Sequence, residues 1–231
     1  KSQPLGSGNV SEDVYNGGRL GTQNVIDAIN ASGTVKRLLY TSSMAAVSGA
    51  KGADLPKGYE WTETDWASDE VDDERWEHAA NSYAKSKVDT ERLINEAADD
   101  SAWDAITMNP AMICGPILFK AQVGQWIEQI GRLAGGLEPS WPSKYDMYYN
   151  IIDVRDLVKA HRLAAESAVD HKASHGGNRY VMHGSGGRSA LRLGTELAEV
   201  IRSNFPSFRL GKPATVTSSG KPITVETNAL N

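Results

Sequence analysis

The chain has 231 residues, 40% hydrophobic, 23% charged and 7% aromatic, proportions that exclude collagen-like, disordered and disulfide-stapled classes. Its net charge of -5 opposes a phosphate backbone, so no nucleic-acid partner is expected. No apolar run approaches the roughly 20 residues of a membrane span. The single cysteine, Cys114, permits no internal disulfide, and no Cys/His cluster has metal-ligand spacing, so neither membrane nor metal is expected and a reducing, cytoplasmic setting fits.

In chain order, residues 14–32 carry Leu20, Val25, Ile26 and Ile29 at helical spacing, with Gly33 where a helix commonly ends. Residues 35–41, Val-Lys-Arg-Leu-Leu-Tyr-Thr, read as a short buried strand closed by Ser42 and Ser43. Residues 51–77 form a long acidic excursion containing Trp61, Trp66 and Trp76, whose rings either anchor the loop or wall a substrate site. A helix over 81–98 and a strand over 103–108 follow, then a break at Pro110, Gly115 and Pro116. Further on, the pattern predicts a helix over 123–133, a strand over 148–153, a helix over 154–168, a strand over 179–183 and a helix over 189–204. From Pro206 the chain is rich in Ser, Thr, Gly and Pro and is expected to be extended or partly ordered. Strands alternating with helices predict a doubly wound parallel α/β sheet with ligands at the carboxyl ends of its strands.

Tyr83 and Lys87 lie four residues apart in a predicted helix, so both project from one face a single turn apart. A phenol is a poor proton donor near neutrality, but a close ammonium stabilises its phenolate and equips it for general acid or base work. Many helices bring Tyr and Lys together at this spacing without chemistry. Thr41, Ser42 and Ser43 end the 35–41 strand, where a hydroxyl can bond a substrate carbonyl oxygen. Ser and Thr also simply terminate strands. His78, His161, His171, His175 and His183 are scattered and read as satisfied or exposed; Cys114 reads as an inert thiol, and Asp153 with Asp156 as a helix cap and polar pair.

The ordered series is more specific than its parts. A Thr-Ser-Ser strand end, the Tyr83-x-x-x-Lys87 helix and the run Asn109-Pro110-Ala111-Met112-Ile113-Cys114-Gly115-Pro116 resemble the extended short-chain dehydrogenase/reductase superfamily. The resemblance is closest to the branch of dihydroflavonol, cinnamoyl-CoA and carbonyl or methylglyoxal reductases, and it runs from about Gly21 to Phe205. Supporting stretches are Gly21-Thr22-Gln23-Asn24-Val25, Trp61-Thr62-Glu63-Thr64-Asp65-Trp66 and Ile151-Ile152-Asp153-Val154-Arg155-Asp156. It implies a Rossmann-like fold, NADP as cofactor with NAD the alternative, a small-molecule aldehyde or ketone as substrate, and a monomer or homodimer. It also implies Tyr83 as proton donor, Lys87 as the group that lowers its pKa and holds the nicotinamide ribose, and Ser43 as hydrogen-bond donor to the reacting oxygen. Thr41, Ser42, Pro110, Ala111, Met112 and Ile113 would then line the cofactor.

The resemblance also implies an amino-terminal Gly-rich phosphate turn, G-x-x-G-x-x-G, that these residues do not contain. The sequence is therefore expected to be the carboxyl-terminal two-thirds of a reductase, an amino-terminally incomplete Rossmann-like sheet over residues 1–118 with a small substrate-binding region over 119–231. These residues alone are expected to show no measurable dinucleotide affinity. Two other readings stay open: a nucleotide-sugar epimerase or dehydratase holding NAD, and a catalytically inactive scaffold.

Overall fold

The computed structural model describes residues 10–48, 60–67, 82–134, 148–175, 177–184 and 192–207. The described elements are α1 (Val10–Ser32), β1 (Arg37–Thr41), α2 (Ser82–Asp99), β2 (Asp104–Pro110), β3 (Met112–Cys114), α3 (Gln125–Ala134), β4 (Tyr148–Tyr149), β5 (Ile151–Asp153), α4 (Val154–Glu166), β6 (Arg179–Met182), β7 (Arg192–Leu193) and α5 (Gly194–Asn204). They divide into two compact units, one of residues 1–111 and 157–182, the other of 112–156 and 183–231.

In the first unit β1, β2 and β6 form a parallel sheet in the order β1-β2-β6, with Tyr40 opposite Thr107 and Met108 opposite Tyr180. Every residue of β2 is buried, as expected of the central strand of a parallel sheet covered on both sides. Alternation sorts the side chains. Ala105 on β2 and Leu38 and Tyr40 on β1 pack with Ile26 and Ile29 of α1 and Ile94 and Ala98 of α2. Ile106 and Met108, turned the other way, line a cavity of about 280 Å³ with Ala160 and Leu163 of α4. Helices thus lie on both faces, giving the doubly wound α/β fold that the sequence pattern predicts.

α1 lies against α2, and a Cβ on Gly18 would overlap the Ser86 hydroxyl, so Gly18 serves a close helix crossing in mid-helix, whereas Gly17 and Gly21 face open space. The Trp103 indole N–H donates to Asn30 Oδ1 at 2.9 Å and closes this side of the core. The ends of the elements are fastened by cations. All five guanidinium N–H donors of Arg37 are used: two on the Asp104 carboxylate at 2.6 and 2.7 Å, and three on the carbonyls of Ala164, Ser167 and Val169. Arg37 thereby joins the starts of β1 and β2 to the carboxyl end of α4. Lys172 does the same for α2, donating to the carbonyls of Ala98, Asp99 and Ser101.

Burial alone would raise the Asp104 carboxyl, but the Arg37 bonds, the His171 backbone N–H and the Arg37 charge outweigh it and hold it below the usual carboxylate range. A depressed folded value contributes stability above the unfolded pKa that is lost as pH falls through the folded one. Arg37→Met is therefore expected to destabilise the protein by about 3 kcal/mol near neutrality. That difference from the wild type should shrink below about pH 4. Urea unfolding of both proteins at pH 7 and pH 3 checks it, and an equal difference at the two pH values would refute the pairing.

In the second unit β3 pairs with β5 in parallel, and β4 with β7 antiparallel. The strand expected over 148–153 is therefore two: Tyr148 and Tyr149 bond toward β7, Ile151 to Asp153 bond toward β3, and Asn150 between them accepts the Met112 N–H. The helix expected from residue 189 begins only at Gly194, because Arg192 and Leu193 are drawn into β7. Asp153 caps the start of α4 by accepting the Arg155 backbone N–H at 2.8 Å. Its polar partner is Arg155, not Asp156: the guanidinium and the amide of Arg155 hold the carboxyl down at about 2. The segment from 208 on, Trp76, His78 and the acidic residues 69–74 lie outside the described residues. Among the described residues no helix is long and apolar enough to cross a membrane, and no cluster of His, Cys, Asp and Glu could hold a metal.

Candidate active site

The carboxyl ends of β1, β2 and β6 share one edge of the parallel sheet, and β1 runs there into Ser42, Ser43 and a single 3-10 turn at Met44–Ala46. Ser43 is extended and caps that turn, its hydroxyl oxygen accepting the Ala45 N–H at 3.1 Å. An oxygen used as acceptor leaves its own O–H available, so Ser43 can still donate to an incoming oxygen.

The first turns of α2 pack beside this 3-10 turn. Tyr83 is 48% exposed, on a different side of the helix from the buried Ala84 and Val88. Lys87 reaches from the helix to the strand end, with Nζ 3.2 Å from the Thr41 carbonyl and 3.3 Å from the Tyr40 hydroxyl, and 5.8 Å from the centre of the Tyr83 ring. Burial pushes its ammonium below the ordinary lysine range, and Glu91 one turn further on partly restores it. An exposed phenol, a half-buried ammonium and the end of the serine-bearing strand thus meet around one lysine.

The other expected contacts are placed as follows. The Thr41 hydroxyl lies 2.8 Å from His161 Nε2; since His161 Nδ1 faces the Leu157 carbonyl, which only accepts, Nδ1 carries the proton and Nε2 takes the Thr41 hydroxyl. Ser42 is buried and its hydroxyl donates to Glu91. Pro110 ends β2 opposite Met182, and the Ala111 N–H donates to the Met182 carbonyl. Met112 and Ile113 are in β3, in the second unit. Cys114, also there, lines a cavity of about 330 Å³ with Trp126 and Val154; burial and then the Asp153 carboxylate push its thiol up, away from reactivity.

Beneath the strand end lies a polar cluster that periodicity in the sequence does not single out. Glu91 is fully buried. Its Oε1 accepts the Ser42 hydroxyl and, at 2.6 Å, Asn109 Nδ2, and its Oε2 accepts Arg179 Nε at 2.7 Å. Asn109 also donates to the Ser43 carbonyl at 3.1 Å, so the cluster fixes the backbone of the candidate hydrogen-bond donor. Arg179 extends to the carbonyls of Glu63 and Asp65 and lies 3.8 Å from the Trp66 ring, which itself packs on Ala46, Ala67 and Val88. Trp66 is therefore an anchor for the 60–67 segment. A sequence signal for Glu91 did exist: Ala84, Val88, Glu91 and Ala98 fall on one helical stripe, and a charge among buried positions must be paired.

Residues 4–180 match the NAD dependent epimerase/dehydratase family. The chain belongs to that family. Among its relatives, cinnamoyl-CoA reductase 1 of Petunia hybrida is 28% identical over 189 residues, covering 82% of this chain and 50% of that one. Cinnamoyl-CoA reductase CAD2 of Medicago truncatula is 29% identical over 197 residues, covering 82% and 52%. The structure of Gre2 from Candida albicans in complex with NADPH aligns with a TM-score of 0.67 at 25% identity, over 90% of this chain and 61% of that one. The chain spans about half the length of the curated relatives it matches. Family membership accords with the resemblance carried by the Thr-Ser-Ser strand end and the Tyr83/Lys87 helix.

Proposed function

We propose that the protein reduces an aldehyde or ketone to an alcohol with NADPH, or NADH, as the reductant. The observation that carries this reading is the placement of Lys87 between the exposed Tyr83 ring and the carboxyl end of β1. The residues present fit the nicotinamide-ribose end of such a cofactor: of the three ammonium N–H donors of Lys87, two are used by Tyr40 and Thr41, which leaves one for a ribose hydroxyl among the described residues. Pro110 and Ala111, at the same sheet edge, are proposed as neighbours of the nicotinamide, with Thr41 and Ser42 beside them.

When bound, the cofactor supplies a hydride. Ser43 donates a hydrogen bond to the substrate carbonyl oxygen and holds it beside Tyr83. Tyr83 gives its phenolic proton to that oxygen as negative charge develops on it. Lys87, cationic and fixed, stabilises the phenolate left behind.

Consumption of NADPH by the native gene product, followed at 340 nm across a panel of aldehydes and ketones, tests this. Saturable, carbonyl-dependent oxidation is expected. No consumption with any carbonyl, by a protein that binds the dinucleotide, would overturn the reading.

A further inference from the structure

The lysine of the candidate site is fastened from the strand side by a second tyrosine. Tyr40 sits on the face of β1 that packs on α1 and α2, in register with Thr107 at the centre of the sheet, so its ring position is set by the core and not by a loop. Its hydroxyl accepts from Lys87 Nζ at 3.3 Å, and the ammonium lies 5.0 Å from the centre of its ring. The carbonyl of the next residue, Thr41, takes a second N–H at 3.2 Å. We propose that Tyr40 is a positioning residue which, with the Thr41 carbonyl, tethers the Lys87 ammonium to the end of β1 and so fixes its distance from Tyr83.

Three properties make Tyr40 suited to this. Burial pushes its phenol up to about 12, so it stays neutral and never competes with Tyr83 as a proton source at ordinary pH. A neutral phenol oxygen accepts from an ammonium, and its ring face adds attraction for the same charge. Lysine otherwise swings on a flexible four-carbon stem, and two acceptors on a rigid strand remove that freedom. The titratable groups that face Lys87 are Tyr40 from β1 and Tyr83 and Glu91 from its own helix. Across α2, on the α1 side, Tyr15 with Arg19 beside it is directed at Asp89, and Lys85 lies over the Tyr15 ring. The 3-10 turn of Met44 to Ala46 carries no charge.

The meaning of the tether for catalysis rests on the reductase reading; its existence does not, and one experiment separates the two. The native protein and Tyr40→Phe are acetylated with an N-hydroxysuccinimide ester at pH 8, and the labelling of Lys87 is measured by peptide mass spectrometry against Lys85 as internal reference. Phenylalanine keeps the ring in the core and removes the hydroxyl, which faces Thr90 as well as Lys87. Losing it both favours the neutral amine and frees the stem, so the Lys87/Lys85 ratio is expected to rise about threefold or more, the scale of one hydrogen bond. In the NADPH assay the same variant should lose roughly 10- to 100-fold in kcat with a smaller change in KM, as for a misplaced catalytic group. A thermal-unfolding cycle of Tyr40→Phe with Lys87→Met supplies an independent measure, and coupled shifts in Tm are expected. An unchanged labelling ratio with additive Tm shifts overturns the tether, whatever the activity. A raised ratio in a protein that binds NADPH but reduces no carbonyl keeps the tether and removes the reductase reading.

Discussion

Replacing Tyr83 by phenylalanine is expected to lower kcat for carbonyl reduction by roughly 100- to 10,000-fold, the range for loss of a positioned general acid. Phenylalanine preserves the ring that stands exposed at the start of α2 and deletes only the oxygen, so thermal stability and NADPH affinity should hardly change. That combination, a large loss in kcat with dinucleotide binding intact, distinguishes a proton donor from a residue that shapes the pocket. The remaining activity should also lose its dependence on the state of Lys87. In the wild type, kcat should decline on the alkaline side as the ammonium discharges, and burial of Lys87 places that decline below the ordinary lysine range. Steady-state kinetics from pH 6 to pH 10, with the two proteins side by side, checks both statements. Undiminished turnover by Tyr83→Phe would remove the phenol from the chemistry.

Most of the scaffold for this site could be read locally. The stripe of Ile26 and Ile29, the short apolar run of β1 and the i, i+4 pair on α2 are each encoded within a dozen residues, and the structure places all of them in elements of the expected type. What could not be read depends on partners far along the chain. Arg192 and Leu193 look like the start of a helix until Tyr148 and Tyr149 are beside them, and Asn150 breaks a run that looks continuous because its two halves bond to different strands. The same holds in the site. Tyr83 and Lys87 announce themselves by spacing, whereas Tyr40, 47 positions from Lys87, looks like any strand tyrosine until the helix packs over it. The resemblance makes Ser42 a cofactor contact, and with its hydroxyl spent on the buried Glu91 such a contact falls to its backbone. Hydroxyls at a strand end can face either way, and only the buried charge decides which.

That buried charge gives a large expected effect on stability. Glu91→Ala should destabilise the protein by about 3 to 5 kcal/mol, because Arg179 and Asn109 would stay buried with their shared acceptor gone. This is a large share of the roughly 5 to 15 kcal/mol that holds a domain folded, so the alanine variant should accumulate poorly. Glu91→Gln is the informative companion. It keeps one oxygen for Arg179 or for Asn109 but presents an N–H₂ to the other of these donors, so an intermediate loss is expected, accompanied by movement of Ser43 through its bond from Asn109. Charge burial itself is not the source of stability: two ions taken from water barely recover their desolvation cost when paired. Glu91→Leu combined with Arg179→Met should therefore recover most of what Glu91→Ala loses, while the turnover that depends on the placement of Ser43 stays impaired, since Ser42 and Asn109 lose the carboxylate that orients them. Urea unfolding measures the first half and NADPH-dependent kinetics the second. A double variant no more stable than Glu91→Ala would show that the ion pair contributes more than relief of a buried charge, and a double variant with full activity would show that the cluster supports the fold without positioning Ser43.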